Sequence, residues 1–585
     1  MEPSGELALA AEFPTPDHEQ WLGLVEGVLK KSGAEFDSLV TTTYDGIRVR
    51  PLYTATDVPP GFPGLPPYTR GGRPQSGAWD VRQLHRTPDR EAVMADLENG
   101  VTSLWLRVPG DRLADVLAEV YLDLAPVVVD GGVDFLDTGR AMLRVWDQSP
   151  VLPGDVRGNV GADPLGVQAR TGAPADLAAL TDLVARAEPF PELRVVVVDG
   201  LPFHEAGGSD AQELGAALAA GVAYLRHLVD GGVPVAKAVR LLEFRHAATA
   251  DQFLTIAKFR AARRLWSRVT ELSGAPAAQV QHAVTSPAMT TRRDPWVNML
   301  RTTIACFGAG LGGADSVTVL PFDHAIGLPD DFSRRVARNT QSLLLEESRL
   351  AGVVDPAGGS WYVEALTEDL ARAAWEWFRE IEAAGGLPTA FPLVADRIAA
   401  TWERRRANLA DRTDAITGVS EFPNLGEAAV TRAPAPAEPG GGLPRIRYAQ
   451  DFEALRDAAD AAPVRPKVFL ATLGPVAAHT ARATFAANLF QAGGLETPNA
   501  GPTKTVEDVV AKFTESGARV VCLCGSESGY AELAAPVADA LRAAGAERIL
   551  LAGKKSDAGI DEYVYTGCPA LSVLEHTFEF LGVTR

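Results

Sequence analysis

RVVVVDG at 194–200, with AQELGAALAAGVAYLRHLVDGG at 211–232 behind it, decides the fold. The first string is four valines closed by Asp-Gly, too short for a helix and apolar toward both sides. That is the pattern of a strand covered on both faces. The second is a long helical stretch. A short buried strand followed by a longer helix is the unit that lays each new strand parallel to the last. Moving outward, SLWLRV (103–108), FLTIAK (253–258) and SVTVLPF (316–322) read as further strands. DRLADVLAEVYLDL (111–124) and FSRRVARNTQSLLLEES (332–348) read as further helices. About 320 residues of this alternation, from about 79 to 400, suit a (β/α)8 TIM barrel with insertions.

The flanks divide the chain. Residues 1–45 read as an N-terminal arm, in which HEQWLGLVEGVLKK (18–31) spaces Trp21, Leu22, Val25, Val28 and Leu29 as a helix. Residues 46–400 are the expected barrel, entered through a stretch rich in Pro and Gly (51–78) that cannot be regular structure. Residues 401–465 read as a linker around TRAPAPAEPGGGLPR (431–445), ending in a short helix, DFEALRDAADAA (451–462). Residues 466–585 form a second α/β domain. KVFLATLG (467–474), ARVVCLCG (518–525), RILLAG (548–553) and EYVYTG (562–567) are its strands. Between them lie helices such as TVEDVVAKFTESG (505–517), with Thr505 as N-cap and Gly517 beyond its end. The pattern predicts a five-stranded, doubly wound, flavodoxin-like sheet.

Composition narrows the function. Of 585 residues, 75 are Asp or Glu and 55 Lys or Arg, a net charge of −20. Such a surface repels phosphate backbones and anionic membranes, so neither nucleic acid nor membrane is an expected partner. Cys306, Cys522, Cys524 and Cys568 include no C-x-x-C pair, which argues against a disulfide framework or zinc site and fits a reducing cytoplasm. MEPSGELALAAEF at the start is acidic where a secretory leader is basic, and no apolar run reaches the ~20 residues of a membrane span.

Long strings carry a family resemblance. FRAARRLWSRV (259–269), the stretch DPWVNMLRTTIACFGAGLGGADSVTVLPFDHAIG and its continuation to WYVE (294–364), and RANLADRTDAITGVSEFPN (406–424) resemble the cobalamin-dependent acyl-CoA mutases, methylmalonyl-CoA mutase in particular. The resemblance implies an arm, a substrate barrel, a linker and a C-terminal cobalamin domain stacked on the barrel mouth. In that family a histidine of D-x-H-x-x-G ligates cobalt, its Asp orients the ring, and its Gly lets the backbone pass the corrin. Here the corresponding loop, LGPVAAHTARATF (473–485), keeps Gly474 but offers His479 with Ala477 two residues before and Arg482 three after. His479 reads as an exposed residue at a helix start.

The barrel departs in the same direction. The family's catalytic tyrosine lies between P-Y-T-R-G and W-T-x-R-Q; here only GRPQSGA (72–78) separates PYTRG (67–71) from WDVRQ (79–83). The family's Y-H-x-Q-E-A-G reads LPFHEAGG (201–208), which puts Pro202 at the histidine position and His204 at the glutamine position unless the alignment slips. His204 reads as a satisfied polar group at the barrel rim. The run R-T-H-x-Q-T-S-G reads VQHAVTSP (280–287): Val280 replaces the arginine, Val284 the glutamine, and His282 stands alone. An isopropyl group cannot supply the bidentate clamp of a guanidinium.

A preserved frame with degenerate sites resembles the small subunits of the heterodimeric members of this family. That likeness implies a catalytically silent chain paired with a homologous large (alpha) subunit, which binds adenosylcobalamin and interconverts succinyl-CoA and (R)-methylmalonyl-CoA. This chain is then expected to hold no catalytic, cofactor or metal residues of its own, and its arm, with Phe13 and Trp21, to wrap the partner. Two other readings stay open: a self-sufficient mutase with atypical cobalamin binding, and an acyl-CoA or partner-binding scaffold. Smaller features take plain readings. The glycines of FGAGLGG (307–313) mark a helix end, the arginines of RAARR (260–264) spread over an outer helix face, and Cys522 and Cys524 are core residues.

Overall fold

A computed structural model of the chain describes residues 17–55, 61–553 and 559–583. Eight parallel strands close into a barrel: Asp80–His85, Ser103–Leu106, Val127–Val129, Gly158–Ala162, Leu193–Asp199, Leu242–Ala248, Gln281–Thr285 and Ser316–Thr318. The last pairs with the first, Ser316 opposite Asp80, so no edge remains. Long helices cover the outside. The helix Asp210–Asp230 packs on Trp361–Ala383, which also crosses Gln252–Leu272.

Two elements differ from expectation. FLTIAK is no strand: Asp251 caps a 21-residue helix, Gln252–Leu272, by accepting from the Leu254 N–H at 3.0 Å. The strand of that unit is Leu242–Ala248, all of it buried although it carries Glu243, Arg245 and His246. Charged residues aimed into a barrel interior erase the apolar pattern that marks a strand. DRLADVLAEVYLDL holds only a four-residue helix, Leu113–Val116, after a 3-10 turn. Leu113, Val116 and Leu117 are buried, while Tyr121 and Leu124 stand in solvent, so its apolar spacing covers a single turn of buried face.

The arginines of RAARR also differ. Arg260 and Arg263 are buried, not spread over an outer face. Arg260 is paired with Asp355 and, at 2.5 Å, with Glu364. Arg263 donates to the carbonyls of Tyr68, Thr69, Gly312 and Gly313 and to Gln281 Oε1. It thereby fastens the PYTRG loop to the end of the helix Val297–Leu311, where Gly313 takes φ +82°, as expected of a helix end.

The segment 431–445 has neither helix nor strand, yet it is an ordered strap. Ala433 O accepts from the Leu328 N–H, Ala169 O from Leu443, Glu205 O from Ile446, and Ala288 O from Tyr448. These loops follow barrel strands eight, four, five and seven, so the strap crosses the barrel's C-terminal mouth.

Beyond it, Val468–Thr472, Val520–Cys524, Arg548–Ala552 and Glu562–Val564 form a parallel sheet in that order. The expected fifth strand is reduced to two isolated bridges, Glu496 with Lys467 and Asn499 with Leu470. Pro498 between them has no N–H and interrupts the ladder. Thr505 caps Val506–Ser516 in a capping box and Gly517 closes it at φ +63°. The four cysteines are buried and unpaired. Trp21 lies on the capped helix His18–Ser32; Phe13 lies outside the described residues. Among the described residues, no helix is long and apolar enough to cross a membrane.

Candidate functional site

In a parallel barrel, chemistry belongs at the C-terminal ends of the strands. Alternation along each strand decides what points inward. Arg82, Ser103, Asn159 and Glu243 make a lower tier: Arg82 Nη1 pairs with Glu243 Oε1 at 2.5 Å and its Nε reaches Ser103 Oγ at 3.2 Å, while Asn159 Nδ2 donates to Glu243 Oε2 at 3.2 Å. Two residues further along come Trp105, Arg245, His282 and Thr318. The Arg245 guanidinium lies 4.0 Å over the Trp105 ring, and His282 meets that ring edge-on at 5.3 Å. His282 is therefore not alone. Its Nδ1 accepts from Arg245 Nε at 3.2 Å and its Nε2 lies 2.8 Å from Thr318 Oγ1. Burial drives its pKa far below the usual value, so the ring is neutral. A third tier is apolar: Leu201, Ala247, Val284 and Leu320. These three tiers fill the barrel axis below the mouth.

The mouth is charged. Arg245 lies 3.4 Å from Asp130 and 3.3 Å from Asp199; Arg170 pairs with Asp199 at 3.2 Å and with Glu205 at 3.1 Å. The strap inserts Glu438, which takes a bidentate pair from Arg107 at 2.9 and 2.7 Å and a third bond from Arg86 at 2.6 Å. Burial, with Asp199 adding to it, pushes the Asp163 carboxyl up to about 7. A cavity of about 820 Å³ remains between the strap and the loops of the first five strands.

The predicted positions fall in different places. Pro202 and His204 sit on the turn Leu201–Glu205 after the fifth strand, at the mouth. His204 is buried: its Nε2 lies 2.6 Å from Ser286 Oγ and its Nδ1 3.6 Å from Glu213, which Lys258 neutralises. Burial lowers its pKa to about 4. Val284 is in the apolar tier, but Val280 precedes the seventh strand, at the barrel's other end. The loop 72–78 precedes the first strand, also at that end. The structure therefore does not gather these positions into one pocket.

In the C-terminal domain, Gly474 takes φ +82° after the first strand and Ala477 is exposed. His479 is buried, contrary to the exposed position expected, because His479, Ala483, Ala486 and Phe490 form the inward face of the helix Val476–Ala492. Among the described residues its Nδ1 has no hydrogen-bond partner and no acid orients the ring. Arg482 stacks 4.8 Å over Tyr530, donates to Gly525 O at 2.6 Å and pairs with Glu527. Tyr530 is buried, and its hydroxyl accepts from Gly525 N and lies 2.7 Å from Ala552 O. Tyr530 and Arg482 thus occupy the crevice at the strand ends of this four-stranded parallel sheet. Among the described residues no His, Cys, Asp and Glu group could hold a metal ion.

Sequence reading missed Trp105, Arg245, Glu438 and Tyr530. Only the Asp-less histidine loop signalled a degenerate crevice; nothing local marked Tyr530 as its occupant.

An eight-stranded barrel carrying a second α/β unit on its mouth defines a class, and comparisons resolve the family within it. Residues 111–486 match the family model described as methylmalonyl-CoA mutase. The chain is 57% identical to the methylmalonyl-CoA mutase small subunit of Streptomyces virginiae, over 99% of both chains. It is 40% identical to the small subunit of Propionibacterium freudenreichii subsp. shermanii, over 99% of this chain and 97% of that one. A Cereibacter sphaeroides methylmalonyl-CoA mutase is 32% identical over 70% of this chain and 64% of its own. The chain belongs to the methylmalonyl-CoA mutase family. Within that family, it aligns end to end with proteins named as small subunits.

Proposed function

We propose that this chain is the catalytically silent small subunit of a cytoplasmic, heterodimeric, adenosylcobalamin-dependent mutase that interconverts succinyl-CoA and (R)-methylmalonyl-CoA. The side-chain tiers that close the barrel axis below the mouth support the reading. A radical isomerase needs a sealed polar cavity around its substrate; here the Trp105–Arg245–His282 tier closes the barrel axis below the mouth, and the strap's Glu438 takes up Arg86 and Arg107 in the cavity above it. The residues do not fit the cofactor either: among the described residues His479 has no orienting acid, and Tyr530 fills the crevice at the strand ends. Adenosylcobalamin would then reside on a homologous large subunit. We divide the chain accordingly into a partner-wrapping arm (1–45), a silent barrel (46–400), a linker (401–465) and a degenerate cobalamin-type domain (466–585). Its contribution is stability and positioning of the active chain by mass action, since a partner that binds only the folded state stabilises it.

The test is a reconstitution. The purified chain mixed with adenosylcobalamin is expected to leave the cofactor's visible spectrum unchanged and to show no turnover. Co-expression with a homologous large chain is expected to give one complex that turns over methylmalonyl-CoA. Turnover by this chain alone would overturn the proposal.

A further inference from the structure

The strap over the barrel mouth is fastened at both ends and bare between them. On one side Arg432 pairs with Asp323 and, at 3.0 Å, with Asp330, and Ala433 O accepts from the Leu328 N–H at 2.8 Å. On the other, the N–H groups of Gly442 and Leu443 donate to Arg170 O at 3.2 Å and to Ala169 O at 2.7 Å, and Leu443 is buried. Positions 434–441, PAPAEPGG, make no backbone-to-backbone hydrogen bond among the described residues. Pro434, Pro436 and Pro439 have no N–H to give. Apart from half-buried Ala435 and Glu438 the stretch stands in solvent, so apolar burial holds it weakly. Gly441, at φ +110° within the run Gly440–Gly442, gives the backbone a pivot.

One ion cluster holds this tip down. Glu438 receives Arg107 Nη1 and Nη2 at 2.9 and 2.7 Å, Arg86 Nη2 at 2.6 Å and Arg445 Nη2 at 3.3 Å. The same arginines reach the tip's carbonyls, Arg86 that of Pro436 at 3.3 Å and Arg445 that of Pro439 at 2.8 Å. Pro436, Ala437, Glu438 and Pro439 line the mouth cavity, as do Val167 and Val197. A segment pinned at two ends, poor in backbone bonds and held by one ion cluster, opens as a unit at a free energy set by that cluster.

We propose that residues 434–441 are a hinged lid on the mouth cavity, latched by Glu438 on Arg86, Arg107 and Arg445. Unlatched, the tip pivots about its two pinned ends and the cavity opens to solvent. The lid follows from the fold of this chain and does not depend on the silence of its barrel.

Thiol labelling of the full chain tests it. Val197→Cys, at a position 3% exposed on the cavity lining, is the reporter, and the four native cysteines, all buried, report opening of the whole fold. Reaction with neutral N-ethylmaleimide is followed by mass spectrometry. In Glu438→Gln the reporter is expected to react at least about tenfold faster, the charge-assisted bonds being lost, while the native cysteines keep their rates. Arg86→Gln is expected to act in the same direction. Added NaCl is expected to speed labelling more with Glu438 present than in Glu438→Gln, since salt screens the latch. Val167→Cys repeats the measurement from a second element of the lining. Reporter rates unchanged in both latch variants would overturn the lid. So would a rise matched by the native cysteines, which would mean that the whole fold had loosened and not the tip.

Discussion

His204 shows what burial does to one side chain. Its ring is neutral because the interior penalises the cation, with a pKa near 4 against an ordinary 6.5. Between those values the unfolded chain binds a proton that the folded chain refuses, so stability falls as pH drops from about 6.5 toward 4. His85 and His324, also lowered to about 4 by burial, act in the same sense. Asp163, raised to about 7, acts oppositely, which makes the wild-type curve a sum of opposing slopes. The contribution of His204 is isolated by difference. Relative to His204→Gln, the wild type is expected to lose about 2 kcal/mol between pH 7 and pH 5, read from urea midpoints at each pH.

Single elements carry separable tasks. The strap 431–445 is tied by Arg432, which pairs with Asp323 and Asp330, and by Glu438, whose loss in Glu438→Ala would leave Arg86 and Arg107 without their carboxylate. These groups are part-buried, so a loss of about 1–2 kcal/mol is expected, with faster limited proteolysis inside 431–445 than in the wild type. Unchanged proteolysis would mean that the backbone bonds alone hold the strap. In the C-terminal domain, Thr505→Ala removes a capping box from Val506–Ser516 and is expected to cost about 1 kcal/mol, measured by chemical denaturation; Thr505→Ser should restore it.

At the scale of the molecule, a charged latch joins the barrel to the linker helix Gln450–Ala461, whose Phe452, Leu455 and Ala459 pack into the core of the C-terminal unit. Glu453, fully buried, accepts from the backbone N–H of Arg292 at 2.6 Å and pairs with Arg292 and Arg447. Arg293 adds bonds to Asp457 at 2.7 Å and Asp460 at 2.6 Å. Breaking a buried pair leaves an uncompensated charge. The wild type is expected to unfold in a single calorimetric transition, and in Glu453→Gln that transition is expected to split into two, as the units lose their coupling. A single transition at an unchanged temperature would place the coupling elsewhere.

The amino-acid order alone determined the barrel where strands are apolar, as in RVVVVDG, and the second unit where caps are explicit, as at Thr505 and Gly517, because backbone propensity and burial are local properties. It also carried the family in its long strings, and the missing ligand pattern around His479. The strand Leu242–Ala248 stayed hidden, since charges that neutralise one another across a barrel look polar one at a time. Only the tertiary structure decided that Arg245 stacks on Trp105, that Tyr530 fills the crevice, and that a Pro- and Gly-rich segment becomes an ordered strap tied by Glu438. Each depends on partners tens to hundreds of residues apart in sequence, and such distances are set by packing, not by neighbours along the chain.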